Sequence, residues 1–172
     1  MKTIETSRLI LRPFCEGDKS DLFELLGDEQ TCLDDGGYHA YASIDDPGFC
    51  GDVRFLAQSG EHYAIALRES DKVIGLVHIM SAHRGIKTSE LGYVLNKSFR
   101  RQGYMKEALR AVINNLFAGD IQMVVCTCYD YNIASAKTLE SLGFAMEGRI
   151  HKSTNHPQHG VIDQLSYYLE KS

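Results

Sequence analysis

No run in the 172-residue chain approaches the roughly 20 consecutive apolar residues that a membrane-spanning helix needs. The opening Met1-Lys2-Thr3-Ile4-Glu5-Thr6 lacks the apolar stretch of a secretion signal, so a cytoplasmic protein without a membrane partner is expected. An excess of positive charge is missing too. The 18 Lys and Arg residues stand against 23 Asp and Glu, a formal net charge of −5. Proteins that neutralise nucleic-acid phosphates carry a basic face, which argues against a nucleic-acid partner. The five cysteines, Cys15, Cys32, Cys50, Cys126 and Cys128, are odd in number and contain no C-x-x-C pair. Neither a disulfide framework nor a zinc ribbon has its spacing here, which leaves free and mostly buried thiols. Only three prolines occur (Pro13, Pro47, Pro157), and no repeat, low-complexity tract or Gly/Ser-rich linker divides the chain. A single domain over residues 1–172 is expected.

Hydrophobic residues make up 44% and charged residues 24%, the balance of a globular domain with a packed core. Thr6 to Arg12 alternates around Leu9 and Leu11, which predicts an opening strand ended by Pro13. Asp18 is placed to cap a short helix with the face Leu22, Leu25 and Leu26. A second helix is predicted from Asp46-Pro47 with Val53, Leu56 and Ala57 inward, weakened by Gly48 and Gly51. Thr31 to Ser43 shows no period. Tyr63 to Leu67 and Val73 to Met80 read as a hairpin turning at Glu69-Ser70-Asp71-Lys72, and after a loop around Gly85 comes a third strand, Glu90 to Leu95.

The period then changes. Met105, Ala108, Leu109, Val112, Ile113, Leu116 and Phe117 recur at helical spacing. Ile121 to Cys128 is a continuous run rich in β-branched residues, the pattern of a strand buried on both faces. A helix from about Ile133 to Leu142 follows, capped by Asn132 and ended by Gly143, and two strands, Phe144 to His151 and Val161 to Leu169, close the chain. The order βααβββαβαββ predicts one α/β (α+β) domain: a mixed, mostly antiparallel central sheet of about seven strands with helices on both faces.

The segment Phe99-Arg100-Arg101-Gln102-Gly103-Tyr104-Met105 joins a predicted strand to the start of the most regular helix. The first N–H groups of a helix have no intrahelical partner and carry partial positive charge, so a phosphate placed there gains several hydrogen bonds. Gly103 permits close backbone approach, and Arg100 and Arg101 add charge. By spacing alone, an ordinary solvent-facing turn fits equally well.

Arg-x-x-Gly-x-Met after a strand, followed by the long helix, the buried strand and Asn132-Ile133-Ala134-Ser135-Ala136-Lys137-Thr138-Leu139-Glu140-Ser141-Leu142-Gly143-Phe144, resembles the GNAT superfamily of acetyl-coenzyme A dependent N-acetyltransferases. Glu5 to Phe14, Glu90 to Leu95, Gly103 to Leu109 and Asp163 to Tyr168 resemble the branch that acetylates ribosomal-protein N-termini, so the likeness covers nearly the whole chain. It implies a GNAT-like sheet splayed between the Glu90 and Ile121 strands. It further implies that the turn of Arg100, Arg101, Gln102, Gly103, Tyr104 and Met105 holds the pyrophosphate of acetyl-CoA through backbone N–H groups. The edge of Tyr93-Val94-Leu95 would pair with the pantetheine amides, Asn132 would hydrogen-bond the pantetheine arm, and Ser135 would point at the cofactor sulfur. Two positions depart from the pattern. Met105 stands where the superfamily usually has Gly or Ala, and Leu139 stands where many members carry a general-acid Tyr.

Acetyl transfer requires a neutral amine, stabilisation of the carbonyl oxygen, and a proton or hydrogen bond for the departing thiolate. By the resemblance, Glu90 lies near the acceptor amine, able to act through water; a strand-end glutamate that orders a loop is the alternative. Ser135 is the leading donor to the sulfur, against a first-turn serine that satisfies the backbone. Tyr93, Tyr129 and Tyr131 are reserve donors. No cysteine has a recognisable base partner, which favours direct attack in a ternary complex over a covalent enzyme intermediate.

His151, His156 and His159 invite a metal reading, but the stretch with Asn155 and Pro157 reads as a flexible loop without cysteine or carboxylate partners, so no metal is expected. His78, inside an apolar run, reads as a sheet histidine. The acceptor is expected to be a peptide or protein N-terminus, or a small amine such as a polyamine or an amino sugar. Thr31 to Ser43 and Lys152 to Gly160 would shape its pocket, and Asp34, Asp35, Asp45 and Asp46 suit a cation. A monomer or homodimer is expected. The alternative from another class is a non-catalytic acyl-CoA binding or sensing module, motivated by Leu139 and Met105.

Overall fold

In the computed structural model, which describes residues 1–36, 39–83 and 86–171, the opening alternation becomes two antiparallel strands, β1 (Ile4–Glu5) and β2 (Leu9–Pro13). The predicted single strand from Thr6 is broken because Thr6 folds back on Leu9. The Thr6 N–H donates to the Leu9 carbonyl at 2.9 Å, and the Leu9 N–H donates to the Thr6 hydroxyl at 2.9 Å. Leu9 and Leu11 are fully buried, as their alternation requires.

Three helices follow: α1 (Lys19–Leu26), α2 (Glu29–Asp35) and α3 (Pro47–Gln58). Asp18 precedes α1, as predicted, but makes no side-chain cap. Its carboxylate instead accepts both Arg12 Nη atoms, at 2.9 and 2.8 Å, and the Cys15 N–H at 2.9 Å. A two-pronged charged pair outweighs one cap hydrogen bond. The unassigned segment begins inside α2, nucleated where Asp28 accepts the Thr31 N–H at 3.0 Å and the Thr31 hydroxyl at 2.7 Å; Gly37 and Tyr38 lie outside the described residues. α3 starts as predicted, with Asp46 accepting the Gly48 N–H at 2.7 Å.

The remaining elements are β3 (His62–Leu67), β4 (Val73–His83), β5 (Lys87–Leu95), α4 (Tyr104–Ala118), β6 (Met123–Tyr129), α5 (Ile133–Ser141), β7 (Ala145–His156) and β8 (Gly160–Glu170). The predicted loop around Gly85 lies outside the described residues. One eight-stranded sheet runs in the order β1-β2-β3-β4-β5-β6-β8-β7, and β5 with β6 is a parallel pair. The mixed, mostly antiparallel α/β class is as predicted; the added elements are the two-residue β1 and the short α2. The largest departure is at the end of the chain. The predicted flexible loop Lys152 to Gly160 is mostly strand, paired as Thr154↔Ile162, Asn155↔Val161 and His156↔Gly160, with an irregularity between Ile150 and Thr154. β7 is largely exposed on both faces, so its ladder forms without an apolar alternation to announce it.

The chain forms two compact units, Met1–His78 with Tyr93–Ala111, and Ile79–Gly92 with Val112–Ser172. In the first, Phe14, Leu22, Phe49, Val53, Leu56, Ala64, Ala66 and Val73 form a core cluster, with Phe23 and Tyr41 each 5.4 Å from the Phe49 ring. In the second, Val124, Cys126, Leu139, Phe144 and Tyr167 are buried. Within that unit β5 and β6 pair over Thr88–Glu90 and Met123–Val125, and the next amide, Leu91 N–H, donates to the Cys126 sulfur.

Candidate active site

The basic turn before α4 has an unusual backbone. Arg101 has φ +61° and Gly103 has φ +81°, so two left-handed residues flank Gln102. Alternation of this kind directs successive N–H groups into one concavity, a nest for an anion. A non-glycine residue in this region costs roughly 1–2 kcal/mol, which surrounding contacts must offset. The first bond of α4 runs from Glu107 N–H to the Gly103 carbonyl at 3.0 Å, so the N–H groups of Tyr104, Met105 and Lys106 precede the hydrogen-bonded ladder. These groups and the helix dipole favour negative charge at the same place.

Arg101, Gln102 and Gly103 are exposed, whereas Met105 is buried, so its bulk belongs to the interior. Arg100 behaves differently from its neighbours. Its N–H donates to the Lys97 carbonyl at 3.3 Å, and its guanidinium reaches the Leu95 carbonyl at 3.1 Å, Asp34 at 3.2 Å and the Thr31 hydroxyl at 3.2 Å. Arg100 thus ties the end of β5 to α2. In Tyr93–Leu95, Val94 and Leu95 are buried and Tyr93 is half-buried. Gly75 on β4 lies so close that a Cβ there would fall 2.4 Å from the Val94 carbonyl oxygen.

The other candidates belong to the second unit. Glu90, half-buried on β5, accepts the Thr127 hydroxyl at 3.4 Å. Asn132 caps α5, its Oδ1 accepting the Ser135 N–H at 3.0 Å. The Ser135 hydroxyl is hydrogen-bonded to Cys128: burial pushes the Cys128 thiol up, and the bond from Ser135 opposes that. Cys126, buried more deeply, is also pushed well up by burial. Neither thiol supplies an appreciable thiolate near neutral pH, so neither is suited to be a nucleophile. Leu139 is fully buried and apolar, and donates nothing.

Tyr129 and Tyr131 stack 5.5 Å apart, and Tyr131 lies 4.7 Å from the His159 ring. His156 Nδ1 accepts the N–H groups of Gln158 and His159 at 3.1 and 3.2 Å, closing the β7–β8 turn. His151 pairs with Asp163 at 3.2 Å. Among the described residues no three His, Cys, Asp or Glu side chains are grouped to hold a metal ion. Sequence reasoning missed Thr127 and Cys128 as partners of Glu90 and Ser135; both lie in the apolar β6 run, where their polar atoms carry no periodic signal.

Residues 8–145 match the family described as "Acetyltransferase (GNAT) domain". The chain belongs to the GNAT acetyltransferase family. Among curated relatives, it is 26% identical over 148 residues to the "Uncharacterized N-acetyltransferase YnaD" of Bacillus subtilis (strain 168), covering 84% of each chain. A GNAT-family acetyltransferase structure from Bacillus anthracis superposes with a TM-score of 0.86 at 21% identity, over 99% of both chains. A ribosomal L7/L12 α-N-protein acetyltransferase, RimL, solved in complex with coenzyme A, superposes with a TM-score of 0.82 at 22% identity, over 98% of both. GNAT is thereby the family both of the fold and of the sequence motifs. No helix among the described residues is long and apolar enough to cross a membrane.

Proposed function

We propose that this GNAT enzyme, acting as one N-acetyltransferase domain over residues 1–172, transfers the acetyl group of acetyl-CoA to a primary amine by direct attack in a ternary complex. The acceptor is a peptide or protein N-terminus or a small amine, and the compartment is the cytoplasm. The observation that carries this reading is the nest at Arg101 and Gly103 opening onto the N-terminus of α4, a fit for a diphosphate. The N–H groups from Arg101 to Met105 bind that diphosphate, with Arg100 anchoring the turn, and the Tyr93–Leu95 backbone hydrogen-bonds the pantetheine amides.

Each remaining residue has a proton or a dipole to manage. Glu90, oriented by Thr127, receives the acceptor's proton through a water molecule as the amine attacks. Asn132 keeps its oxygen on the Ser135 N–H and offers its amide N–H to the pantetheine arm. Ser135 donates its hydroxyl to the sulfur as negative charge develops there. The high Cys126 and Cys128 thiols favour direct transfer over an acyl-cysteine.

Free-thiol release from acetyl-CoA, measured with a panel of peptide N-termini and small amines, tests the reading. Release above background with at least one acceptor class is expected. A melting-temperature rise with acetyl-CoA and no thiol release with any amine would replace the enzyme by a binding or sensing module.

A further inference from the structure

Arg8 and Glu107 stand almost a hundred residues apart in sequence, yet they form one densely bonded polar cluster. The Glu107 carboxylate accepts the Thr6 hydroxyl at 2.6 Å, the Ser7 hydroxyl at 3.0 Å, the Arg8 N–H at 3.0 Å and Arg8 Nε at 2.7 Å. Burial acts against its charge, but these donors bring it down to about 2. Arg8 also reaches the turn. Its Nη1 donates to the Gln102 carbonyl at 3.0 Å, its guanidinium carbon lies 4.4 Å over the Tyr104 ring, and Nη2 is 3.5 Å from where a Gly103 Cβ would stand.

The consequence follows from the geometry of one peptide unit. The Gln102 carbonyl and the Gly103 N–H belong to the same planar trans amide and point in opposite directions. By holding that carbonyl, Arg8 directs the Gly103 N–H away from itself, toward the mouth of the nest. Glu107 fixes the guanidinium, and the Tyr104 face supports it from the first turn of α4. The same contacts help hold the segment in which Arg101 adopts its strained left-handed conformation.

We propose that Arg8 is a positioning residue for the diphosphate of coenzyme A, aligning the Gly103 N–H by its hold on the Gln102 carbonyl. This rests on reading the turn as the diphosphate site. Its effect is geometric, because Glu107 already balances the charge of Arg8 and a lysine cannot serve Glu107 and the Gln102 carbonyl in the same fork.

The test compares coenzyme A with pantetheine, which has the thiol arm but no diphosphate. Calorimetric Kd values are measured for the unaltered protein and for Arg8→Ala, Arg8→Lys and, as a control, Arg68→Ala, whose guanidinium bonds the Thr6 carbonyl and Glu5. Thermal melts establish that each variant is folded; Arg8→Lys keeps a cation beside Glu107 if Arg8→Ala does not fold. Arg8→Ala and Arg8→Lys should weaken coenzyme A about tenfold and leave pantetheine affinity unchanged. In turnover, the KM for acetyl-CoA should rise with kcat within twofold, and Arg68→Ala should bind as the unaltered protein does. Unaltered coenzyme A affinity in Arg8→Ala, full restoration by Arg8→Lys, or an equal loss for pantetheine would each overturn the proposal. Failure of the unaltered protein to bind coenzyme A would instead overturn the reading of the turn, and this proposal with it.

Discussion

Asn132 Oδ1 accepts the Ser135 N–H at 3.0 Å, so the residue proposed for the pantetheine arm also caps the helix that carries the proposed donor to the sulfur. Its side-chain oxygen serves the helix, and in the proposed complex its amide nitrogen donates to the pantetheine arm. The two roles separate by substitution. Asn132→Asp keeps the cap oxygen and loses the amide donor, so it should leave the urea midpoint nearly unchanged and raise the acetyl-CoA KM several-fold. Asn132→Ala should raise KM similarly and also lose about 1 kcal/mol of stability. An Asp variant with unaltered KM would confine Asn132 to capping.

Ser135→Ala should act on the other kinetic parameter. A hydroxyl that donates only as charge grows on sulfur contributes to kcat and little to ground-state affinity, so kcat should fall roughly ten- to a hundredfold, or about 1.4–2.7 kcal/mol. Coenzyme A affinity should barely move. An unchanged kcat, with chemistry shown to be rate-limiting, would remove Ser135 from catalysis and pass attention to Tyr93→Phe, Tyr129→Phe and Tyr131→Phe.

Gly103→Val should separate binding from folding. At φ +81° a β-branched residue is strained by about 1–2 kcal/mol, but a Cβ there meets only Arg8 Nη2, at an ordinary 3.5 Å. Folding therefore suffers modestly, whereas the strain shifts the amides that face the anion. Calorimetry should show a larger free-energy loss in coenzyme A binding than melts show in stability. Equal losses would mean that the turn has no special part in binding.

His62 predicts a pH dependence. Burial, and secondarily the charge of His78, pushes it down to about 4; its ring stacks 3.9 Å from His78, and its Nδ1 bonds the Ser59 hydroxyl. The unfolded chain therefore binds a proton between pH 6.5 and 4 that the folded chain refuses. The stability from neutral His62 is complete above about pH 6.5 and falls as pH drops toward 4, by on the order of 2 kcal/mol at pH 5. Urea midpoints at pH 7.5 and pH 5 should differ accordingly, and His62→Phe should flatten the difference. An equal pH dependence in the variant would assign the effect to other groups.

What the sequence determined by itself is local. α4 was legible because Ala108, Leu109, Val112 and Ile113 repeat at the helical period and are all buried. β6 was legible because apolar, β-branched-rich runs of that length suit a strand covered on both faces, and the Asn132 cap needs only three consecutive residues beyond it. Strand β7 was legible as far as His151 but not beyond it: the rest of this exposed ladder is held by backbone bonds to β8, which leave no apolar period in Lys152 to His156. Nor was α2, whose start depends on one carboxylate choosing the Thr31 N–H.

The site divides in the same way. The basic, glycine-containing turn is visible in the sequence, but the left-handed φ of Arg101 is not, because no residue type there demands it. Asp18 looks like a cap until Arg12 is brought beside it, and Glu107 looks like a solvated helix residue until Thr6, Ser7 and Arg8 converge on it. Charged and hydroxyl groups choose partners by distance in the folded chain, where a charged acceptor with several donors outweighs a single neighbour in sequence. Periodicity and capping are short-range and can be read along the chain; the pairing of Arg8 with Glu107, and the peptide orientation it sets, exists only once the tertiary structure has brought them together.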